Sequence, residues 1–243
     1  MIEMLLMALK DDRVLPQPTG QITFNVGGPH VFTVPDDVTR VSVACLGAAL
    51  KVTLPFPYTP YQAGGAIVYM NDIPVTPGQK IDINVGIPGY ENSVADYTHS
   101  RFSRFQSMAA SYYDAMRIPT GAVGRWGGRG GYTNRSGLIY TGGSAAKLTG
   151  AGLSGINEVG SSQYSTARKP GGWNSDLTIY TEASTATLPN AYGRGADLQG
   201  GVTYLQQPTG GIVRIIWGND RGFPDRNIGN MEERTLEEVL ADK

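Results

Sequence analysis

The chain has 243 residues, with 20 Lys plus Arg against 21 Asp plus Glu and a formal net charge of −1. That length holds one large domain or two modest ones around a real core, and the near-neutral balance argues against a general nucleic-acid binder or a disordered polyelectrolyte. One cysteine excludes an internal disulfide framework and a Cys-based zinc site, and two histidines, His30 and His99, leave little for His-based metal or acid–base chemistry.

The first fifteen residues are apolar and then charged, with neither the basic start nor the small-residue cleavage site of a signal peptide. They predict a short helix or arm stopped by Pro16 and Pro18. It packs on its own domain or docks on another subunit, because Ile2, Met4, Leu5, Leu6 and Met7 are costly to leave wet. The run Met4 to Leu9 is the longest apolar stretch, far short of the roughly 20 residues that span a bilayer.

From Gln21 the period becomes two. Ile22, Phe24 and Val26 alternate with polar residues, as do Val41, Val43 and Cys45 with small ones, and Ile81, Ile83 and Val85 with Asp82 and Asn84. This is the pattern of half-buried strands, punctuated by turn chemistry at Val34-Pro35-Asp36-Asp37 and Thr76-Pro77-Gly78. Residues 20–86 thus predict a small antiparallel β unit interrupted by a Pro/Tyr insertion, Pro55 to Tyr61. Asp36 and Asp37 read as turn formers in a hairpin rather than as catalytic acids. Cys45 reads as a small buried apolar residue rather than a nucleophile. Ser103 to Met116 lacks Gly and Pro and predicts one short helix or an ordered loop.

Residues 101–135 hold six arginines, Arg101, Arg104, Arg117, Arg125, Arg129 and Arg135, against one acid, Asp114. Phe102, Phe105, Tyr112, Tyr113, Trp126 and Tyr132 interleave with them. Arg with aromatic residues is the composition of contact surfaces. The readings are local packing of Arg on aromatic faces, a protein interface, an anionic ligand, or nucleic acid. The contact residues it points to are Arg101, Arg104, Arg125, Trp126, Arg129 and Tyr132.

Residues 121–211 carry 21 glycines in 91 positions, mostly as pairs and without the three-residue period of collagen. Such a chain turns often and packs backbone against backbone. Leu177 to Thr181 and Val202 to Leu205 are strand candidates within it. Gly127 to Gly131 follows no strand-to-helix pattern, so it does not read as a phosphate cradle. Gly211 to Trp217 is a buried-strand run, followed by a turn. Asn230 and Glu233 can cap a short C-terminal amphipathic helix whose stripe is Met231, Leu236, Val239 and Leu240. No catalytic or metal motif is present, so neither catalytic residue, metal nor cofactor is expected.

Three stretches resemble a glycine-rich domain of tailed-bacteriophage tail-fibre and adhesin proteins. Gly28 to Val43, with Phe32-Thr33-Val34-Pro35, is similar to its opening hairpin and strand. Tyr69 to Gln79 is similar to its next hairpin. Val213-Arg214-Ile215-Ile216-Trp217-Gly218 followed by Arg221-Gly222-Phe223-Pro224 is similar to its closing signature. In related tail-tip adhesins the glycine-rich part folds as packed polyproline-II helices, and its loops touch the host receptor.

The expected fold is mainly β: an antiparallel β-sandwich-like unit with a glycine-rich loop or polyproline-II region and short terminal helices. Its parts are an N-terminal docking arm, 1–19; a β and glycine-rich domain, 20–229, with its β core at 20–86 and 211–217; and a C-terminal docking helix, 230–243. Met4, Leu5, Leu6, Met231, Leu236, Val239 and Leu240 are the expected docking residues. The resemblance implies a non-enzymatic structural virion protein of the tail, fibre or baseplate. Its alternatives are a host-receptor adhesin reading surface glycan or an outer-membrane protein, and a capsid decoration protein. The expected partners are other virion proteins, further copies of the chain (a trimer being favoured) and a host surface receptor, with no nucleic acid and no membrane insertion. The expected location is the virion, after synthesis in the host cytoplasm.

Overall fold

The computed structural model describes residues 17–49, 63–88, 102–111, 116–128, 131–133, 139–141, 144–152, 171–181, 191–195, 197–199, 203–206 and 209–229. The expected terminal helices and all seven docking residues lie outside the described residues, as do Arg101, Arg129 and the Pro/Tyr insertion.

Among the described residues every regular element is a strand, and the fold is mainly β. In chain order the strands are β1 (Gly20–Phe24), β2 (Gly28–Thr33), β3 (Arg40–Leu46), β4 (Ile67–Pro74), β5 (Lys80–Val85), β6 (Ser103–Phe105), β7 (Met108–Ala110) and β8 (Met116–Arg117). There follow β9 (Val123–Arg125), β10 (Gly131–Thr133), β11 (Ile139–Thr141), β12 (Gly172–Trp173), β13 (Tyr180–Thr181), β14 (Asp197–Gln199), β15 (Thr203–Gln206) and β16 (Ile212–Trp217). Two antiparallel five-stranded sheets dominate. The central sheet runs β1-β16-β3-β4-β9 and the second sheet β2-β5-β6-β7-β8. Four-stranded β10-β11-β14-β15 and two-stranded β12-β13 belong to the glycine-rich part.

The central sheet is covered on both faces. Val41, Val43 and Cys45 of β3, with Val213 and Ile215 of β16, pack against Phe32, Ile81, Ile83, Val85, Phe105 and Met108 of the second sheet. Ala44, Leu46, Ile212 and Ile216 point the other way, onto Ala145, Leu148, Trp173, Leu177 and Phe223. Double coverage explains why β3 and β16 read as nearly continuous apolar runs, while β5, covered once, alternates. Each fully enclosed Leu or Ile contributes about 1.5–3 kcal/mol.

The third layer is built from glycine backbone. Gly65 N–H donates to the Gly193 carbonyl at 2.7 Å, and the Gly65 carbonyl accepts from Ala146 N–H at 2.9 Å. Gly64 N–H donates to Gly128 at 2.9 Å, Gly128 N–H to Ser144 at 2.8 Å and Ala145 N–H to Gly171 at 2.9 Å. Segments far apart in sequence thus lie side by side, joined by isolated backbone bonds rather than by ladders. A Cβ at Gly65 would stand 2.1 Å from the Gly47 carbonyl oxygen, and one at Gly127 2.1 Å from that of Gly64, so only glycine permits this approach.

Three sequence expectations are corrected. Residues 103–116 hold no helix among the described positions: β6 and β7 form a hairpin through Gln106 and Ser107, with Gln106 at φ 50°, and β8 pairs with β7. A lack of Gly and Pro is common to helices and strands, and the alternation of buried Ser103 and Phe105 about Arg104 decides for the strand. The two expected hairpins are arches between sheets, because β2 pairs with β5 and β3 with β4. The arches lie against each other through Val34 N–H to Gln79, Gly78 N–H to Val34 and Val75 N–H to Thr39, each 2.9 Å. The strand candidate from Leu177 shrinks to Tyr180–Thr181, since Leu177 sits in a turn at φ 61°.

Candidate functional site

The arginine-rich segment is divided between two sides of the molecule. Arg104 lies on β6, opposite Asn84, and Ala109 separates it from Arg117 in the same cross-strand row. This row belongs to the outer face of the second sheet, since its neighbours Ile83 and Phe105 point into the core. Arg125 lies on β9 opposite Ile67, whose face carries the glycine layer. Trp126 follows it at 58% exposure, and its carbonyl accepts the Gly152 N–H at 2.8 Å. Tyr132 lies on β10. The chain passes from the second sheet to the central one between Arg117 and Val123, a step that a charge count along the sequence does not register.

Two arginines of the closing signature are buried instead. Arg214 is fully enclosed, although it sits mid-strand on β16. Its guanidinium donates to the Asp176 carbonyl at 2.6 Å, to Gln21 Oε1 at 3.1 Å and to the Ile228 carbonyl. Arg221, 3% exposed, donates to Asn227 O at 2.9 Å, Gly20 O at 2.6 Å, Gln21 Oε1 at 2.8 Å and Gly229 O at 2.9 Å. Burial pulls both guanidinium pKa values down; for Arg214 the nearby Asp176 opposes this and the Arg221 charge adds to it. The sequence pattern gives neither arginine a role, although Arg214 stands out as a charged residue inside a run otherwise fit for burial on both faces.

A bulge positions the turn they clamp. β4 carries Asn71 and Asp72 opposite the single Ser42 of β3, with Asp72 at φ 54°. The bulge aims Asn71 at Phe223: its Nδ2 donates to the Phe223 carbonyl at 2.7 Å, and its Oδ1 accepts the Phe223 N–H at 2.8 Å.

A groove of about 1130 Å³ opens beside this turn, lined by Gln17, Asp37, Arg40, Asp72, Asp220 and Arg226 among others. Asp37, Asp72 and Asp220 all have φ between 54° and 62°, the turn conformation that Asp tolerates well, and Asp36-Asp37 keep the turn role read from sequence. The Asp72–Arg226 pair, 3.9 Å apart with both side chains more than half exposed, is a weak surface contact. Among the described residues no three His, Cys, Asp or Glu side chains gather as a metal site. Cys45 is wholly enclosed, and burial pushes its thiol pKa up, which suppresses the thiolate.

No protein-family model matches the chain, and no curated protein matches it in sequence.

Two shallow concavities remain on the outer face of the second sheet, of about 280 and 360 Å³, and they share Asp82 and Arg104. One extends to Lys80 and Gln106, the other to Pro29, His30, Val31 and Asn84. His30 is oriented by a 2.6 Å bond between its Nε2 and the Val26 carbonyl, and Asn84 Nδ2 donates to the Phe102 carbonyl at 2.5 Å.

Proposed function

We propose that the chain is a non-enzymatic structural protein of a tailed-bacteriophage virion, a tail, fibre or baseplate component that acts through assembly contacts. The observation that carries this reading is the glycine layer, in which distant extended segments touch backbone to backbone and tolerate no side chain between them. That construction is the one implied by the family resembled at Gly28 to Val43, Tyr69 to Gln79 and Val213 to Pro224. A close-packed lattice offers fixed shape rather than moving parts, which suits assembly. Its partners are other virion proteins and further copies of the chain, with a trimer favoured. Mass-spectrometric inventory of purified particles tests this: the chain is expected at fixed stoichiometry with tail proteins. Its absence, or polysaccharide hydrolysis by the purified chain that a single Asp or Glu substitution abolishes, overturns the reading.

A second reading, a host-receptor adhesin, is favoured by Trp126, a large exposed aromatic beside Arg125 on the edge strand β9. Aromatic and Arg side chains dominate many contact hot spots. Loss of host attachment in Trp126→Ala particles of normal composition decides for the adhesin.

A further inference from the structure

The outer face of the second sheet carries charge that the fold does not use. Arg104 is half-buried on the central strand, and its Nε is enclosed without a hydrogen-bond partner. Among the described residues it forms no ion pair, and neither do Asp82 and Lys80 beside it. Asp82 and Asn84 are successive outward positions of β5, and Asn84 stands opposite Arg104, so the carboxylate lies on the diagonal, about 7–8 Å away between Cα atoms. No ion pair joins the two, and both line the two shared concavities.

We propose that this face binds a carboxylated saccharide. Arg104 takes the sugar carboxylate in a planar two-point contact through its terminal nitrogens, the geometry in which Arg excels. Asp82 accepts sugar hydroxyls, as an ionised carboxylate has acceptors only. Val31, 56% exposed, and Pro29 supply an apolar shelf for the C–H face of the ring. The opposed signs select the ligand class. A neutral sugar leaves Arg104 without a counter-charge, and an acidic peptide lacks the ring hydroxyls that Asp82 accepts. The inference rests on this sheet alone and stands apart from the virion assignment, because it is read on the isolated chain.

The experiment is calorimetric titration of the full chain with a tetrasaccharide of galacturonic acid, its fully methyl-esterified form, and a tetraglutamate peptide. The free acid is expected to bind, and the ester and the peptide about tenfold more weakly or worse. Arg104→Gln is expected to cost about tenfold or more in affinity for the free acid. Asp82→Asn is expected to weaken it too, whereas Arg226→Gln, on the separate groove, leaves it unchanged. No binding by the native chain, equal binding of ester or peptide, tighter binding by Asp82→Asn, or unaltered binding by Arg104→Gln overturns the proposal. Should Arg104→Gln fail to fold, Arg104→Lys decides: it keeps the charge and loses the planar fork, so unaltered affinity overturns it.

Discussion

Arg214 is wholly enclosed, yet its hydrogen-bond partners are carbonyl oxygens rather than a carboxylate. An arginine so placed acts as a staple: one buried guanidinium ties β1, through Gln21, to the turn at Asp176 and the segment at Ile228. Arg214→Leu is expected to lower the unfolding free energy by about 3 kcal/mol in urea titration, since it removes the donor to the Asp176 and Ile228 carbonyls, while Gln21 Oε1 keeps its bond from Arg221. A loss under about 1 kcal/mol would mean that water or neighbouring groups replace the staple. Cys45 gives a second prediction at this scale. Its thiol pKa is raised in the folded state, so above the ordinary thiol value of about 8.5 the unfolded chain releases a proton that the folded chain keeps. Its contribution is therefore fully present below that pH and declines above it by about 1.4 kcal/mol per pH unit. The stability gap between the native chain and Cys45→Ala is expected to narrow from pH 8.5 upward, measured by denaturant midpoints at constant salt.

At the scale of elements, the bulge in β4 does what a regular strand cannot. The extra residue turns Asn71 toward Phe223, and the side-chain amide then pairs with a backbone N–H and carbonyl as a neighbouring strand would. Asn71→Ala is expected to cost about 2 kcal/mol and to expose the 221–224 turn to limited proteolysis; unaltered cleavage there counts against this role. The strands themselves were legible, because β1, β5 and the flanks of β3 follow apolar residues spaced by two. Pairing was not. Local pattern around Phe32 to Val41 marks a turn between two strands, and a hairpin and an arch look alike until the partners of each strand are known. The hairpin Ser103 to Ala110 was missed for a related reason: three-residue strands are too short for periodicity to speak. The buried role of Arg214 and Arg221 was hidden because their acceptors lie as far away in sequence as Gln21 and Asp176. The charge of the 101–135 segment was plain, but its division between two sheets follows only from register.

For the whole molecule, the order is sheet, sheet, glycine layer. The second and third layers are interdependent: Leu46, Ile67 and Ile212 lose their cover if the glycine segments part. Gly65→Ala, whose added carbon meets the Gly47 carbonyl, is therefore expected to lower stability by about 1–3 kcal/mol or more. The effect should appear as one cooperative thermal transition; two separated transitions would show that the layers melt independently. Removing 230–243 is a contrasting case. The Arg221 clamp closes at Gly229, so the shortened chain is expected to melt within a few degrees of the full one while failing to enter particles. Normal incorporation of the truncated chain would refute a docking role for that segment.

The clamp has a mechanical consequence. One guanidinium holds the carbonyls of Gly20 and Gly229 together, so the two ends of the described fold are moored at a single point. Tension entering along one terminal segment and leaving along the other crosses that mooring rather than the sheets. The sandwich hangs beside the line of force, and while the clamp holds, the strands feel little of the load. Once it slips, the pull peels β1 from β16 one hydrogen-bonded pair at a time, starting at Gly20 and Trp217. The clamp therefore acts as the mechanical fuse of the domain: Arg221→Ala should lower the force of first rupture when single molecules are pulled by their two ends.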